Sequence, residues 1–213
     1  LTTAIPDSSH TFEVRAIDTA GNTGNAVSLP FIVQTAPPGT PGNIKKTTPD
    51  NDDTPTFTWN AVASAISYEV RVDAGDWTNI GNVTTHTYAT AIPDGSHTFY
   101  VRALGGDAGS LAFTVDTVAP SAPANVARPT PDNDNTPNFT WDAATDATSG
   151  VAYYQVRIGS GGWTDVGNVT SYTVTEAIAD GSYTFEVKAV DAAGNPGAAG
   201  SVDFTVDITP PST

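Results

Sequence analysis

The sequence predicts an all-β protein made of tandem β-sandwich modules, and three observations support this prediction. Apolar and polar residues alternate with a period of two along most of the chain, which is typical of half-buried strands. Gly, Asn, Asp and Pro separate these runs at short intervals. Long segments also return in the same order at offsets of 82 to 87 residues, and this spacing indicates independent modules in tandem.

The repeats divide the chain into one partial and two complete modules. Residues 48–59 return as residues 130–141, and residues 6–16 return both as 93–103 and as 179–189. The predicted units are the C-terminal half of a first module at 1–36, a second module at 37–118 and a third module at 119–213. A half-sandwich cannot close its own core, so we expect either that the boundary of this unit is artificial or that another segment completes it. The lack of an initiator Met and of a signal peptide also favours a piece of a longer chain.

Each predicted strand has an inward and an outward side, so the core can be predicted strand by strand. In the second module the predicted inward residues are Phe57, Trp59, Tyr68, Val70, Val72, Phe99, Val101, Ala103, Leu111, Phe113 and Val115. In the third module they are Phe139, Trp141, Tyr154, Val156, Ile158, Phe185, Val187, Ala189, Val202, Phe204 and Val206. About seven short strands in each module fit two packed antiparallel sheets.

The composition excludes several classes of function. The 213 residues carry 8 Lys+Arg against 23 Asp+Glu, a formal net charge of -15, which disfavours binding to nucleic acid. There is no Cys, so disulfides and thiolate chemistry are excluded, and no apolar run is long enough to span a bilayer. The His residues are dispersed, and His10 and His97 repeat one position that holds Tyr183 in the third module. We therefore predict no enzymatic activity.

Three features resemble fibronectin type III modules. They are a Trp in the second strand, a Tyr-x-Val third strand, and the run from Asp180 to Ala189. In that family an aromatic residue just before the sixth strand forms the tyrosine corner, and Tyr183 matches its place. His97 and His10 stand there in the other copies, which departs from the family pattern. The resemblance implies tandem immunoglobulin-like (Ig-like) or fibronectin type III-like β-sandwiches.

Other short segments resemble bacterial Ig-like repeats. The run Asp-Ala-Ala-Gly-Asn at 191–195 is echoed at 18–22, and residues 116–120 form a short connector that ends in Pro. Repeats of this kind occur in long secreted surface proteins and adhesins. The resemblance covers the whole chain, but it is specific for the fold and not for one function.

Loops rich in Asp and Asn point to Ca²⁺, which takes six to eight oxygen ligands. In a sandwich of this type, three of these segments meet at the C-terminal pole. The predicted ligands there are Asp50, Asp52, Asp53, Asp94 and Asp116 in the second module, and Asp132, Asp134, Asp180 and Asp207 in the third. At the N-terminal pole of the third module, facing the second, they are Asp142, Asp146 and Asp191. The alternative is that these residues cap turns and keep the surface soluble.

Trp77 and Trp163 each follow a turn and recur at one place in both complete modules. If the indole rings are exposed, they could stack on sugar rings. Their recurrence is equally explained by packing that the two modules share. Both interpretations stay open at the level of sequence.

The sequence as a whole predicts a non-enzymatic extracellular segment that acts as a spacer, stalk or fibre in a bacterial surface protein or adhesin, stiffened by Ca²⁺ at module poles and joints. Expected partners are neighbouring repeats, further copies in a fibre, and a surface glycan or protein receptor reached through the parent protein. Nucleic acid and membrane insertion are not expected. The alternative is a carbohydrate-binding accessory module of a secreted hydrolase, with Trp77 and Trp163 as its ligand residues.

Overall fold

A computed structural model describes residues 3–33 and 35–212, and these residues form sixteen strands and no helix. The first group of strands is β1 (Ser8–Val14) and β2 (Val27–Val33). The second group is β3 (Lys45–Lys46), β4 (Thr56–Thr58), β5 (Tyr68–Val72), β6 (Thr78–Gly81), β7 (Thr85–Thr87), β8 (Gly95–Ala103) and β9 (Ala108–Val115). The third is β10 (Ala124–Ala127), β11 (Asn138–Asp142), β12 (Val151–Ile158), β13 (Thr164–Gly167), β14 (Ser171–Thr173), β15 (Gly181–Asp191) and β16 (Gly200–Val206).

The second and third groups have the same topology. Each consists of a three-stranded sheet, β3-β4-β7 or β10-β11-β14, and a four-stranded sheet, β6-β5-β8-β9 or β13-β12-β15-β16. All neighbouring strands run antiparallel. Seven strands in two sheets agree with the number that the alternating pattern predicts, and the all-β fold class is confirmed.

The core lies between the two sheets of each complete module. Phe57 of β4 stacks on Phe99 of β8 with ring centroids 4.0 Å apart and an interplanar angle of 1°. Phe139 and Phe185 repeat this contact at 3.9 Å and 2°. All the predicted inward residues of both modules are buried or pack against these cores. The period of two predicts this outcome because successive side chains of a strand point to opposite faces.

The strands β1 and β2 pair with each other, and no third described strand joins their sheet. Phe12 matches the fully buried Phe99 in the repeat, yet 56% of its surface is exposed. Leu29, which matches Leu111, is 63% exposed. The apolar face of this hairpin is therefore uncovered in the described part of the chain.

The connectors that enter the two complete modules lie directly against the loop before the last strand of each module. A Cβ atom placed on Gly106 would come within 2.5 Å of the carbonyl oxygen of Pro38. The same atom on Gly197 would come within 2.6 Å of the carbonyl oxygen of Pro120. Glycine permits this close approach of two backbones, so each connector is held against the module that it enters. None of the described segments is a helix that could cross a membrane.

Candidate functional site

One aspartate holds the exit of each complete module. Asp94 Oδ1 accepts hydrogen bonds from the backbone N–H and the hydroxyl of Thr117, both at 3.0 Å. Asp180 accepts from the backbone N–H of Ile208 at 2.9 Å and from the hydroxyl of Thr209. The hydroxyl of Thr209, followed by the N–H of Ile208, lowers the pKa of Asp180 from its ordinary value. These two predicted calcium ligands therefore serve as anchors for the connectors.

A cation of the protein lies beside the next pair of predicted ligands. Lys46 forms an ion pair with Asp50 at 2.8 Å, and Arg128 forms one with Asp132 at 2.7 Å. The two cationic side chains are only 8% and 5% exposed, and Arg128 also donates to the carbonyl of Pro131 at 2.6 Å. The positive charge that an ion would bring to each loop is thus supplied by the chain itself.

The remaining acids of these loops form turns. Asp52 Oδ1 accepts from the backbone N–H of Thr54 at 2.9 Å, and this bond is the main cause that lowers the pKa of Asp52. Asp134 holds Thr136 at the same distance. Asp53 contributes its backbone carbonyl, which accepts from Ile92 N–H at 2.8 Å. This geometry is the one that turn capping requires.

A different group of acids meets at the joint between the second and third modules. One carboxylate oxygen from each of Asp116, Asp146 and Asp191 lies within 4.8 Å of the others. Asp116 is 0% exposed and Asp191 is 1% exposed. The cluster combines one acid predicted for the second module's C-terminal pole with two predicted for the third module's opposite pole. Asp142 is not part of it and instead accepts from the side-chain amide of Asn125 at 2.6 Å.

Hydrogen bonds also cross this joint. The backbone N–H of Ser149 donates to Asp116 Oδ2 at 3.0 Å, and Asn195 Nδ2 donates to the backbone carbonyl of Asp116 at 2.7 Å. Asp191 Oδ1 supports the same loop by accepting from the N–H groups of Gly194 and Asn195 at 2.7 and 2.8 Å. The patterns in the sequence did not indicate that Ser149 and Asn195 contact the connector. Nearly every loop residue has a backbone N–H, and Asn side chains are frequent in loops.

Residues 146–150, the first loop that bonds to Asp116, lie in a segment that is longer in the third module than in the second. Nine positions separate Trp59 from Tyr68 in the second module, whereas thirteen separate Trp141 from Tyr154 in the third. The following strand is also longer in the third module, because β12 begins at Val151, three residues before Tyr154, whereas β5 begins at Tyr68 itself. The four additional residues therefore extend the end of the third module that faces the second module, partly by lengthening β12.

The second loop that bonds to Asp116, residues 191–195, also lies in a segment that is longer in the third module than in the second. Six positions separate Ala103 from Gly109, whereas eleven separate Ala189 from Gly200. Both enlarged loops contact the connector that starts with Asp116. This difference in spacing between the repeats is the signal by which sequence alone could have located the joint.

Trp77 and Trp163 are half-buried on the outer face of the four-stranded sheets. The guanidinium carbons of Arg71 and Arg102 lie 4.7 and 4.2 Å from the centroid of the Trp77 ring. Around Trp163 the corresponding cations are Arg157 at 4.5 Å and Lys188 at 4.3 Å. The same cation–π arrangement is therefore built in both modules, and it covers ring surface on which a sugar would stack.

The His residues at the corner position make the hydrogen bond that the tyrosine makes in the third module. Tyr183 donates its hydroxyl to the carbonyl of Ala179 at 3.0 Å. His97 Nε2 lies 2.8 Å from the carbonyl of Pro93, four residues earlier as in the tyrosine case, and its Nδ1 lies 2.7 Å from Asp73 Oδ2. Both ring nitrogens of His97 are therefore engaged in structural hydrogen bonds.

Comparison with known proteins defines the class to which these modules belong. Over 92% of its length the chain superimposes on three fibronectin domains of chicken CNTN1, covering 77% of that chain, with a TM-score of 0.51 and 18% identity. Titin domains give a TM-score of 0.50 at 17% identity, again over 92% of this chain and 75% of theirs. The chain is therefore an array of Ig-like, fibronectin type III-like β-sandwiches. Residues 130–208, within the third module, match the family model of the bacterial Ig-like domain.

Related sequences occur in bacterial enzymes. The chain is 35% identical over 197 residues to chitinase A1 of Niallia circulans, which covers 84% of this chain and 28% of the chitinase. It is 30% identical over 223 residues to exoglucanase B of Cellulomonas fimi, covering 98% of this chain and 18% of that enzyme. Exoglucanase A of the same organism is 47% identical over 89 residues, which is 40% of this chain and 10% of the relative. The chain thus spans less than a third of the relatives that it matches.

Proposed function

We propose that this chain is a non-catalytic accessory segment of a secreted bacterial polysaccharide hydrolase, in which it spaces other domains apart. The observation that carries this proposal is the match to chitinase A1, which extends over 84% of this chain but only 28% of the enzyme. A segment of that size is one part of a modular enzyme. The relatives favour this parent over the surface protein or adhesin that the sequence predicts.

An extracellular location follows from the same relationship. Chitin and glucan chains are polymers that an enzyme meets outside the cell, so a segment of such an enzyme works there too. The absence of Cys is compatible with this location, because the two cores are large and do not need disulfides.

The joint between the second and third modules supports a spacer that keeps its shape. Asp116 is completely buried and is bonded to Ser149 and Asn195 of the next module. Bending at the joint would break these two hydrogen bonds, and few residues of flexible chain separate the modules. A connector of this kind limits bending far more than a Gly/Ser linker of the same length.

Exchange of this segment in a parent hydrolase tests the proposal. The chain is placed between the catalytic domain and a polysaccharide-binding domain of a chitinase, and a Gly/Ser linker of equal residue number is the matched control. We expect equal turnover of soluble chito-oligosaccharides and slower release of sugar from insoluble chitin with the flexible linker. Equal rates on insoluble chitin would overturn the spacer proposal.

Carbohydrate binding at the Trp residues is a second candidate, favoured by the recurrence of Trp77 and Trp163 on one outer face. The test is co-sedimentation of the chain with insoluble chitin and with cellulose. If the indole rings bind sugar, Trp163→Ala combined with Trp77→Ala abolishes sedimentation while the fold survives. If the rings serve only the cation–π arrangement with Arg102 and its counterpart Lys188, the unsubstituted chain does not sediment at all.

The proposal also includes a Ca²⁺ site at the joint between the second and third modules. Two oxygen ligands of one Ca²⁺ lie at most about 5 Å apart, twice the metal–oxygen distance, and the oxygens of Asp116, Asp146 and Asp191 meet this limit at 4.8 Å. Among the described residues no Lys or Arg forms an ion pair with these three acids. An ion there would neutralise charges that are costly to bury.

Thermal unfolding with and without calcium tests this part. At a free Ca²⁺ concentration one hundred times the Kd, binding to the folded state adds about 2.7 kcal/mol. We expect the melting temperature to rise in Ca²⁺ but not in Mg²⁺, and Asp146→Asn to abolish the rise, because the amide oxygen keeps the loop's hydrogen bonds but the charge is lost. Asp132→Asn, at the pole with its own Arg128, is the matched control. Identical melts in EDTA and Ca²⁺ would contradict the calcium site.

A further inference from the structure

The connectors that enter the second and third modules differ at their first residue, and the modules that follow them differ in the segments that face the connector. The connector into the third module starts with Asp116, whereas the matching residue before the second module is Gln34. The third module carries the enlarged loops 146–150 and 191–195, and the matching segments of the second module are shorter. In this chain an Asp connector therefore goes with enlarged loops, and a Gln connector goes with short loops.

The conformation of the enlarged loop at 191–195 does not depend on contact with a connector. The first module has the same loop at 18–22, where Asp18 Oδ1 accepts from the N–H of Asn22 at 2.8 Å and Asn22 Nδ2 donates to Asp18 Oδ2 at 2.8 Å. The corresponding distances between Asn195 and Asp191 are also 2.8 Å. The loop at 18–22 reaches this shape without a described connector bound to it, so the loop presents a preformed amide donor.

The third module ends in a second connector of the Asp type. The backbone N–H of Asp207 donates to the carbonyl of Asp132 at 2.9 Å, as that of Asp116 donates to Asp50 at 2.9 Å. Asp207 Oδ1 accepts from the N–H two residues later at 3.1 Å, and so does Asp116 Oδ1. The difference is that Asp207 is exposed whereas Asp116 is buried by the next module.

We propose that each type of connector is matched to one type of following module. The connector that begins with Asp207 is then a docking element for an Ig-like module that carries both enlarged loops. The loop amide donates to the connector's carbonyl, and the backbone of the other loop donates to its carboxylate. Gln has no carboxylate for the second contact, and a module with short loops has neither donor. This proposal deepens the proposed spacer function, since it states which joints are rigid and which bend.

The chain can be extended to test this matching directly. One variant carries a second copy of residues 121–212 directly after residue 211, so that Pro211 takes the place of Pro120, and the comparison variant carries residues 39–119 there instead. Because the chain has no Cys, single spin labels can be placed at will. Ala74 and Ser160 are exposed and occupy the same turn in the two complete modules, so Ala74→Cys with Ser160→Cys reports on the existing joint. Ser160→Cys with its copy reports on the new one.

Pulsed electron resonance then measures the distribution of distances between the labels. We expect the joint to the added third module to give a distribution as narrow as that of the existing joint. Asp207→Gln should broaden it by about twofold or more, toward the behaviour of a flexible tether, and the added second module should give the broad distribution with either residue. Equal widths in all of these variants, whether narrow or broad, would overturn the matching.

The outcome is independent of the parent enzyme. Asp207 is exposed, so its substitution does not threaten the fold, and the unfolding temperature of each variant verifies this. Repeating the measurement in EDTA and in Ca²⁺ distinguishes a joint ordered by hydrogen bonds alone from one that also needs an ion. A failure of the chitinase exchange experiment would leave these distances unchanged, and broad distances would refute the matching without touching the relationship to hydrolases.

Discussion

Replacement of His97 by Tyr should remove a pH dependence from the stability of the second module. Both ring nitrogens of His97 face atoms that can only accept hydrogen bonds, namely Asp73 Oδ2 at 2.7 Å and the carbonyl oxygen of Pro93 at 2.8 Å. Both nitrogens must therefore carry a proton, and the corner is complete only with the charged imidazolium. Partial burial lowers the pKa of His97, but the bonds to Asp73 and Pro93 outweigh it and raise the pKa overall.

The size and sign of the effect follow from this geometry. A pKa shift of one unit corresponds to about 1.4 kcal/mol, and a partly solvated ion pair contributes at most about 1 kcal/mol. Because 49% of the Asp73 side chain is exposed, we expect the lower value. The folded pKa is raised, so the stabilisation is complete below the unfolded pKa of 6.5 and is lost as the pH rises through the folded pKa.

At low pH the same pair fails for a different reason. The hydrogen bond from His97 is the first cause that lowers the pKa of Asp73. This contribution is present above the unfolded pKa of Asp73 and is lost as the pH falls through the folded one. The window of full stabilisation thus lies between the ordinary pKa of an aspartate and that of a histidine.

The third module provides the matched comparison within the same chain. Its residues Gly159 and Tyr183 stand where the second module has Asp73 and His97. Asp73 has a φ of 51° and Gly159 has a φ of 57°, a region that costs Asp more than Gly. The double variant Asp73→Gly with His97→Tyr therefore reproduces the corner of the third module without new backbone strain.

Differential scanning calorimetry between pH 5.5 and pH 8.5 is the assay. About 1 kcal/mol corresponds to roughly 4–8 °C in a domain of 60–100 residues, so the melting transition of the second module should fall by several degrees while that of the third stays constant. The double variant should lose this fall, and its second module should keep only the opposite trend of His86, whose burial lowers its pKa. A pH dependence of the second module that is the same in the wild type and in the double variant refutes the charged corner.

Three further outcomes are expected from the structure. Trp141→Ala should reduce the free energy of unfolding of the third module by about 3–5 kcal/mol in urea titrations, because the side chain is only 4% exposed; half-buried Trp163→Ala should have a much smaller effect. Gly197→Ala should cost about 1–3 kcal/mol in the same titrations, since its Cβ would lie 2.6 Å from a carbonyl oxygen of the connector. The amide of Ile208, which donates to Asp180, should titrate in NMR spectra with a pKa below that of an ordinary aspartate. A titration at the ordinary value would contradict the anchor.

The fold was largely predictable because its signal is local. Alternation along a strand assigned Phe57 and Phe99 to the inside without knowledge of their partners, since neighbouring side chains must point to opposite faces. Which strands pair and which rings stack depends on residues far apart in the chain, and the parallel contact of these two rings at 4.0 Å is decided by tertiary packing.

The site was less predictable because a carboxylate can accept bonds in many directions. Asp94 and Asp116 both lie at the predicted pole, but Asp94 is directed to the connector of its own module and Asp116 to the next module. Composition and spacing place such residues near one pole. They do not give the orientation of a side chain, nor the neighbour that supplies the nearest N–H.

The sequence by itself determined the all-β class, the division into repeats, the inward face of each strand and the excess of acids in the loops, because each of these is a property of neighbouring residues or of simple counts. Only the tertiary structure decided which acids became anchors, which were balanced by Lys46 or Arg128, and which three met at the joint. That choice depends on two enlarged loops and a connector being brought together from three separate parts of the chain, and contacts of this kind form only when the whole module has folded.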